Sequence, residues 1–348
     1  MTARAPTISV VMAAYNGAAF IRATIDSVLA QTIPDFEIVV AEDCSKDDTL
    51  AVLAAIDDPR LRVVKAERNG GPAAARNLAM SHARGRFIVG LDQDDLCHPE
   101  RFARQLAYLD AHPDVALVCS TIVMFEGETE RHDPYPDLTD PDAIDWTMGL
   151  LNPLAWSTAM MRGEAARALI PFERDDYRFA EDFDLYTRIR AHGRIGRIAE
   201  PLVRYRLHPG GASQAYEEGM IRSAGKVLAD RHAALFGADA AEAGLLLSRH
   251  AGAGYPPPDA ATLTRCGSIM ARLLAAEGGS RFPQESSRAL WWRIARSGLR
   301  TGHYGVTDIL RARPAFAGRG GTAIPALLRD AAIGTARRAA RQTATLSL

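Results

Sequence analysis

The sequence predicts an α/β fold: a doubly wound, mainly parallel sheet with helices on both faces, followed by an all-helical C-terminal region. Three observations carry this. Up to Phe125, short β-branched or apolar runs alternate with segments of helical spacing. The stretches joining them are short, the pattern of repeated strand–helix units around a parallel sheet. Beyond Tyr216 the chain is rich in Ala and Leu and holds no further strand-like run.

The elements follow in order. Thr7–Met12 is β-branched and apolar, a first strand, and Ala13-Ala14-Tyr15-Asn16-Gly17 is a turn. Phe20, Ile21, Ile25, Val28 and Leu29 have the spacing of one helical face. Phe36–Ala41 is a second strand that runs into the polar stretch Glu42–Thr49, and a helix follows to about Ala55. Leu61–Lys65 is a third strand, and Asn69-Gly70-Gly71-Pro72 breaks the chain before a helix over Ala73–His82. The fourth strand, Arg86–Leu91, ends abruptly in Asp92, Asp94 and Asp95, and Pro99 opens a helix to Leu109. Val115–Phe125 is a fifth strand. Right-handed crossovers then bring the strands' C-terminal ends to one edge, where open α/β sheets bind ligands. From Glu126 to Asp145 the pattern is irregular, Pro- and Asp-rich, and reads as a surface loop near that edge. A strand around Ala155–Met161, a helix from Glu181-Asp182 to His192-Gly193, and short strands at Ile195–Ile198 and Leu202–Leu207 complete a first domain, residues 1–215. Residues 216–348 form the helical region.

Composition excludes several classes. The chain has 348 residues, 47% hydrophobic and 24% charged, with a net charge of −1. No run of 18 apolar residues is present to span a membrane, and Met1–Pro6 lacks the apolar core of a signal peptide. Cys44, Cys97, Cys119 and Cys266 show neither metal-ligand nor paired spacing, which fits reduced thiols and a cytoplasmic location. Basic residues are almost all Arg, a coding bias rather than a mark of nucleic-acid binding, and no nucleic-acid partner is expected. Residues 281–348 nevertheless carry twelve Arg against Glu285, Asp308 and Asp330, so the rest of the chain is acidic. Such asymmetry suits a basic tail meeting an anionic surface.

Asp92 and Asp94 are two apart, so on extended backbone they point to one side and can share a divalent cation. Hard carboxylate oxygens suit Mg²⁺ or Mn²⁺, ions that bridge protein carboxylates to substrate phosphates. The plainer alternative is a solvated loop whose acids favour the start of the next helix. Other polar clusters fall at strand ends too, at Tyr15-Asn16 and at Asp43. No Gly-x-Gly-x-x-Gly or P-loop pattern follows the first strand, which disfavours dinucleotide and P-loop chemistry.

Taken together, six stretches over roughly residues 6–215 resemble the family 2 nucleotide-sugar glycosyltransferases of the GT-A fold. They are Val10–Gly17, Glu42–Thr49, Asn69–Asn77, Asp92–Asp95, Glu181-Asp182, and Arg204–His208 with Ser213. In the second stretch Glu42 stands where the family has Asp, and Cys44 and Asp48 stand where it has Gly, which makes the turn less permissive. The resemblance implies an inverting, metal-dependent enzyme moving a sugar from a nucleoside-diphosphate sugar, a UDP-sugar above all. The acceptor hydroxyl would belong to a saccharide or lipid-linked saccharide in cell-surface glycan synthesis. It implies donor binding by Ala14, Tyr15, Asn16, Asp43, Arg76, Asp92, Asp95 and Glu181, with Tyr15 on the base ring and Asp43 accepting from a base N–H. Arg76 would lie near base or phosphates, where a guanidinium gives bidentate recognition. Asp92 and Asp94 would hold the Mn²⁺ or Mg²⁺, and His208 would complete the metal shell or touch the diphosphate. Asp182 would be the general base, taking the acceptor's proton in a single displacement; the plainer reading of Glu181-Asp182 is helix capping.

Trp156 fits a sugar-stacking role or a place in the core equally well. Cys97-His98 is set aside as a ligand pair, because thiolate favours softer metals. Ala323–Arg341 reads as a basic amphipathic helix, interrupted at Pro325 and Gly334, suited to an anionic membrane surface that presents a lipid-linked acceptor. Two other functions compete. A nucleotidyltransferase needs a Gly-rich, Lys/Arg-bearing loop after strand one, and Ala13–Gly17 is nothing like it. A non-catalytic nucleotide-sugar scaffold would have no need of the full Asp92, Asp94 and Asp182 set.

Overall fold

A computed structural model describes residues 4–135, 137–211, 216–278, 281–318 and 324–346. Ser213 and Ala323, named above, lie outside the described residues, as does the side chain of Arg341. The chain divides into two compact units: residues 1–148 with 153–223, and residues 149–152 with 224–348. The break falls within a helix, Glu217–Arg231.

The first unit is built on one nine-stranded sheet. Its strands are β1 (Ile8–Ala14), β2 (Phe36–Glu42), β3 (Leu61–Lys65), β4 (Phe87–Gly90), β5 (Leu96–Cys97), β6 (Val115–Glu126), β7 (Thr129–His132), β8 (Met160–Arg162) and β9 (Arg194–Arg206). The order is β3-β2-β1-β4-β8-β6-β9-β5, with β7 paired to β6. β3, β2, β1 and β4 run parallel, as expected from their alternation with α1 (Ile21–Leu29), α2 (Thr49–Ala54) and α3 (Gly71–His82). β8 reverses direction and pairs antiparallel with both β4 and β6. α4 (Arg101–Ala111), α5 (Pro141–Met148), α6 (Gly163–Ala168) and α7 (Glu181–Ile189) complete the unit.

Burial explains why these runs fold as they do. β1 and β2 are covered on both faces, so their apolar residues run on rather than alternate, as in other parallel sheets. Ile8, Val10, Met12, Ile38, Val40 and Val89 are fully buried, each stabilising the fold by roughly 1.5–3 kcal/mol. α1 buries Ile21, Thr24, Ile25 and Val28, the i, i+3, i+4, i+7 stripe of its sequence.

Two expectations are revised. The segment expected to be a loop from Glu126 to Asp145 contains the hairpin strand β7 and most of α5. The two short strands expected over residues 195–207 are one strand of 13 residues, β9, whose register against β6 shifts beside Thr121. The Thr121 hydroxyl donates to the Ala199 carbonyl at 2.6 Å there, satisfying a group the irregular ladder leaves over.

The second unit is helical among its described residues. Its elements include α8 (Ala260–Ala276), α9 (Arg281–Thr301), α10 (Val306–Ala312) and α11 (Ile324–Leu346). Trp291 and Trp292 pack edge to face at 5.0 Å, and the Trp292 indole N–H donates to the Ala317 carbonyl at 3.1 Å. Asp330, buried on α11, pairs with Arg296 of α9 at 2.7 Å. No helix among the described residues is long and apolar enough to cross a membrane.

Candidate active site

Three loops at the C-terminal ends of β1, β2 and β4 are tied into one surface. After β1, Tyr15 is 39% exposed, and its amide N–H donates to Gln93 Oε1 at 2.9 Å. Gln93 Nε2 donates back to the Tyr15 carbonyl at 2.9 Å. Gly17 makes room for that exchange, since a Cβ there would stand 2.1 Å from Gln93 Oε1. Asn16, in the left-handed region at φ 49°, accepts the Lys46 amide on its Oδ1 at 2.8 Å and so joins the loop after β2. Ala14 is buried, and its carbonyl accepts the Asp43 amide at 2.8 Å.

Asp43 is buried, and its two carboxylate oxygens accept the Gly70 and Gly71 amides at 2.8 and 2.9 Å. It therefore serves as the cap that α3 lacks from its own sequence, since Gly70 offers no side chain. Cys44 sits beside it at φ +60°, a conformation that a glycine adopts without strain. The missing family glycine is thus a real strain in this turn.

α3 carries Arg76 into the middle of an acidic cluster. Its Nη2 donates to Asp92 Oδ1 at 2.7 Å, and its Nη1 faces both oxygens of Glu173 at 3.3 and 3.4 Å. The guanidinium lies over the Trp156 ring, 4.7 Å from its centroid. Trp156 itself is buried against Gly90, where a Cβ would meet the indole at 2.6 Å, so β4 needs glycine there. Glu181 and Asp182 open α7 beside the same cluster, and Glu181 is buried. Burial above all raises the Asp182 carboxyl to about 6; the Arg76 charge opposes the rise and Glu181 adds to it. Glu173 is raised to about 8, again by burial first, with Arg76 opposing and Glu181 and Asp182 adding.

The third group lies one turn of loop away. Asp94 Oδ2 meets His208 Nε2 at 2.8 Å, and the His208 ring packs on Phe20 with centroids 4.6 Å apart. Arg206 donates its amide to Asp95 Oδ1 at 2.8 Å and its Nε to the Asp94 carbonyl at 2.8 Å. Burial raises the Asp94 carboxyl, and the Asp92 charge adds to this while His208 opposes it. Asp95 is buried and held well above the carboxylate range by burial, then by the charges of Asp94 and Asp92. Crowded carboxylates of this kind are relieved by a cation.

The candidate metal ligands Asp92, Asp94 and His208 do not form a three-ligand cluster. Among the described residues no three acidic, histidine or cysteine side chains converge in that way. The reason is Arg76, which takes Asp92, while Asp94 turns to His208. A carboxylate and an imidazole still fit a hard ion such as Mn²⁺ or Mg²⁺, which commonly takes one or two protein carboxylates and draws its remaining ligands from phosphates and water. Cys97 is turned away from this site, accepting from Arg101 Nη1 on its sulfur at 3.2 Å.

With this geometry described, comparison with known proteins assigns the family. Residues 9–169 match the family described as Glycosyl transferase family 2. A putative glycosyltransferase, EpsE of Bacillus subtilis (strain 168), is 30% identical over 207 residues, covering 58% of this chain and 73% of that protein. This chain belongs to glycosyl transferase family 2. The succinoglycan biosynthesis protein ExoO of Rhizobium meliloti (strain 1021) is 42% identical over 129 residues, 37% of each chain. The match thus spans little more than a third of that relative's length. Residues 1–349 of S. aureus TarS, crystallised in complex with UDP-GlcNAc, share the fold. The TM-score is 0.55 and the identity 17%, over 97% of this chain and 92% of that one. The chain is therefore a glycosyltransferase with the GT-A architecture.

Glu173, Gln93 and Arg206 were not singled out from the sequence. Glu173 is one acid among many in Glu173–Asp184, and no spacing marks it out. Its role comes from the chain path that returns it to Arg76.

Proposed function

We propose that the protein transfers a sugar from a nucleoside-diphosphate sugar, a UDP-sugar by preference, to the hydroxyl of a saccharide or lipid-linked acceptor, with inversion, in polysaccharide synthesis. One observation carries this reading: a single buried arginine, Arg76, stands between the Asp92 end of the acidic loop and the carboxylates of Glu173, Glu181 and Asp182. Donor and acceptor chemistry would meet across it. Tyr15 and Asn16, with Ala14 behind them, offer an exposed platform for the base, and Asp43 lies at the adjoining loop. Asp95 would face the donor sugar. Asp94 and His208 would hold Mn²⁺ or Mg²⁺, with Asp92 beside them on Arg76, and the ion when bound would neutralise charge on the leaving diphosphate. Asp182, near 6, is ionised at neutral pH yet basic enough to take a proton from the attacking hydroxyl. Glu181 would hold Asp182 and the donor in register.

The transferase domain is taken as residues 1–215, with residues 216–348 as a helical region. We further propose a cytoplasmic location with peripheral membrane contact; α11 supports the contact, with Ile324 and Leu328 72% and 62% exposed beside exposed Arg329 and Arg337. Deleting residues 320–348 should abolish flotation with phosphatidylglycerol vesicles; unchanged flotation refutes the contact.

The test of the reaction is a thermal-shift screen with UDP, UDP-GlcNAc, GDP and GDP-mannose, each with and without Mn²⁺. A ligand that binds only the folded chain raises its melting temperature by mass action. A Mn²⁺-dependent rise with one nucleotide, lost in Asp94→Ala, is expected. No rise with any nucleotide at millimolar concentration would overturn the proposal.

A further inference from the structure

The loop that leads into α7 holds a strained aromatic residue. Phe179, two residues before Glu181, lies in the left-handed region at φ 71°, where a bulky side chain is an outlier. Outliers of this kind gather at active sites and ligand clamps. The Phe179 ring stacks on Tyr216, parallel to within 10° and with centroids 4.3 Å apart. Gly219 leaves room for this, since a Cβ there would stand 3.0 Å from Phe179 Cδ2. The stack does not serve to bury its outer ring, because Tyr216 stays 52% exposed. Arg178 stands beside it, exposed, with its guanidinium 5.3 Å from the Phe179 centroid. That guanidinium also reaches α3, where a Cβ on Gly71 would be 3.4 Å from Nη2. Nearby arginines are committed to acids: Arg174 and Arg188 to Asp184, Arg190 to Asp145, and Arg76 to Asp92. Arg178 makes no ion pair among the described residues.

We propose that Arg178, Phe179 and Tyr216 form the acceptor subsite, and that the acceptor is an acidic saccharide, one of whose rings lies on Tyr216 while its carboxylate or phosphate pairs with Arg178. This rests on the transferase reading above and names the acceptor's chemical class. An exposed aromatic face offers the apolar surface on which the C–H side of a sugar ring packs. A guanidinium free of other acids offers a bidentate partner for an anion. Arg178 joins the start of α3, which Asp43 caps, to the loop that opens onto Asp182. An acceptor has to occupy that span, between the donor and the base that takes its proton. Phe179 and Tyr216 belong to neither of the loops after β1 and β2 that would bind the nucleotide, so donor affinity should not depend on them.

The test titrates the full-length chain, with UDP and Mn²⁺ present, and follows binding by saturation-transfer NMR. The probes are tetragalacturonate and its neutral methyl ester, and maltotetraose with and without a terminal phosphate. One charged probe should bind about tenfold or more tightly than its neutral counterpart, and which one does so separates carboxylate from phosphate. Arg178→Gln should bring that pair within about twofold of each other and leave the UDP Kd unchanged. Tyr216→Ala should weaken charged and neutral probes alike by about fivefold, and Tyr216→Phe should not. Should Tyr216→Ala not fold by circular dichroism, Arg178→Gln alone decides. A wild-type protein without preference for charge would overturn the proposal, as would a preference that survives in Arg178→Gln or a folded Tyr216→Ala that binds as wild type. An equal loss of UDP affinity in Arg178→Gln would also overturn it, by placing the arginine on the donor. Wild-type protein that binds none of the four nucleotides of the screen overturns the transferase reading and this one with it, whereas UDP binding without charge preference overturns this one alone.

Discussion

Replacing Asp182 with Asn should make the protein both inactive and more stable. In the folded chain the carboxyl sits near 6 instead of its ordinary 3.8. At about 1.4 kcal/mol per pH unit, ionised Asp182 destabilises the fold by about 2–3 kcal/mol at pH 7. The sign follows from the raised value. Below 3.8 the group is neutral in both folded and unfolded chains and has no such effect; the penalty grows as pH rises from 3.8 to about 6, then stays constant. Asn carries no charge and escapes this penalty. Guanidinium denaturation of wild type and Asp182→Asn at pH 7 should therefore show the variant more stable by about 2 kcal/mol, and the gap should close at pH 4. Transfer should fall by roughly 10²–10⁴ through loss of the general base, with UDP binding retained. Wild-type turnover should lose its activity through an acid limb near pH 6. A variant less stable than wild type at pH 7, or a gap that does not change with pH, would refute the account of a strained, functional carboxylate.

Three further outcomes follow from the geometry. Cys44→Gly relieves a left-handed backbone at φ +60°; allowing for glycine's greater freedom when unfolded, it should stabilise by about 0.5–1 kcal/mol, read as a higher melting temperature. Gly90→Ala drives a methyl into the Trp156 indole at 2.6 Å, which should cost about 1–3 kcal/mol and lower turnover by moving Arg76, as denaturation and kinetics on one preparation would show. His208→Ala should weaken the Mn²⁺-dependent part of any nucleotide-induced thermal shift by about tenfold in apparent metal affinity, a loss of order 1.4 kcal/mol, and leave metal-free binding unchanged.

Much of this could be read from the residues. β1, β2 and β4 announce themselves as apolar runs because both faces of a parallel sheet are covered there. The carboxylates of Asp92, Asp94 and Asp95 stand out because they end such a run. Strand direction is not encoded in a hydrophobic pattern, so the reversal at β8 was not legible. β7, Thr129–His132, is exposed along its length and has no apolar alternation to reveal it. At Ala199-Glu200-Pro201 polarity and proline mimic a turn, while β9 carries on there through an irregular register. Glu173 was invisible for another reason: a buried acid is defined by its partner, and Arg76 is ninety-seven positions away.

The double use of Asp43 limits how this chain can diversify. Its carboxylate already secures the start of α3 through the Gly70 and Gly71 amides. If it also reads the base, mutations that retune recognition there must pass through a loosened helix, the one that carries Arg76. Changes in nucleotide preference should therefore accumulate around Tyr15, which is exposed and secures no helix, whereas Asn16 is itself tied to the Lys46 amide. Over generations the anchor stays fixed and its neighbours drift, so variation between lineages would map the recognition surface.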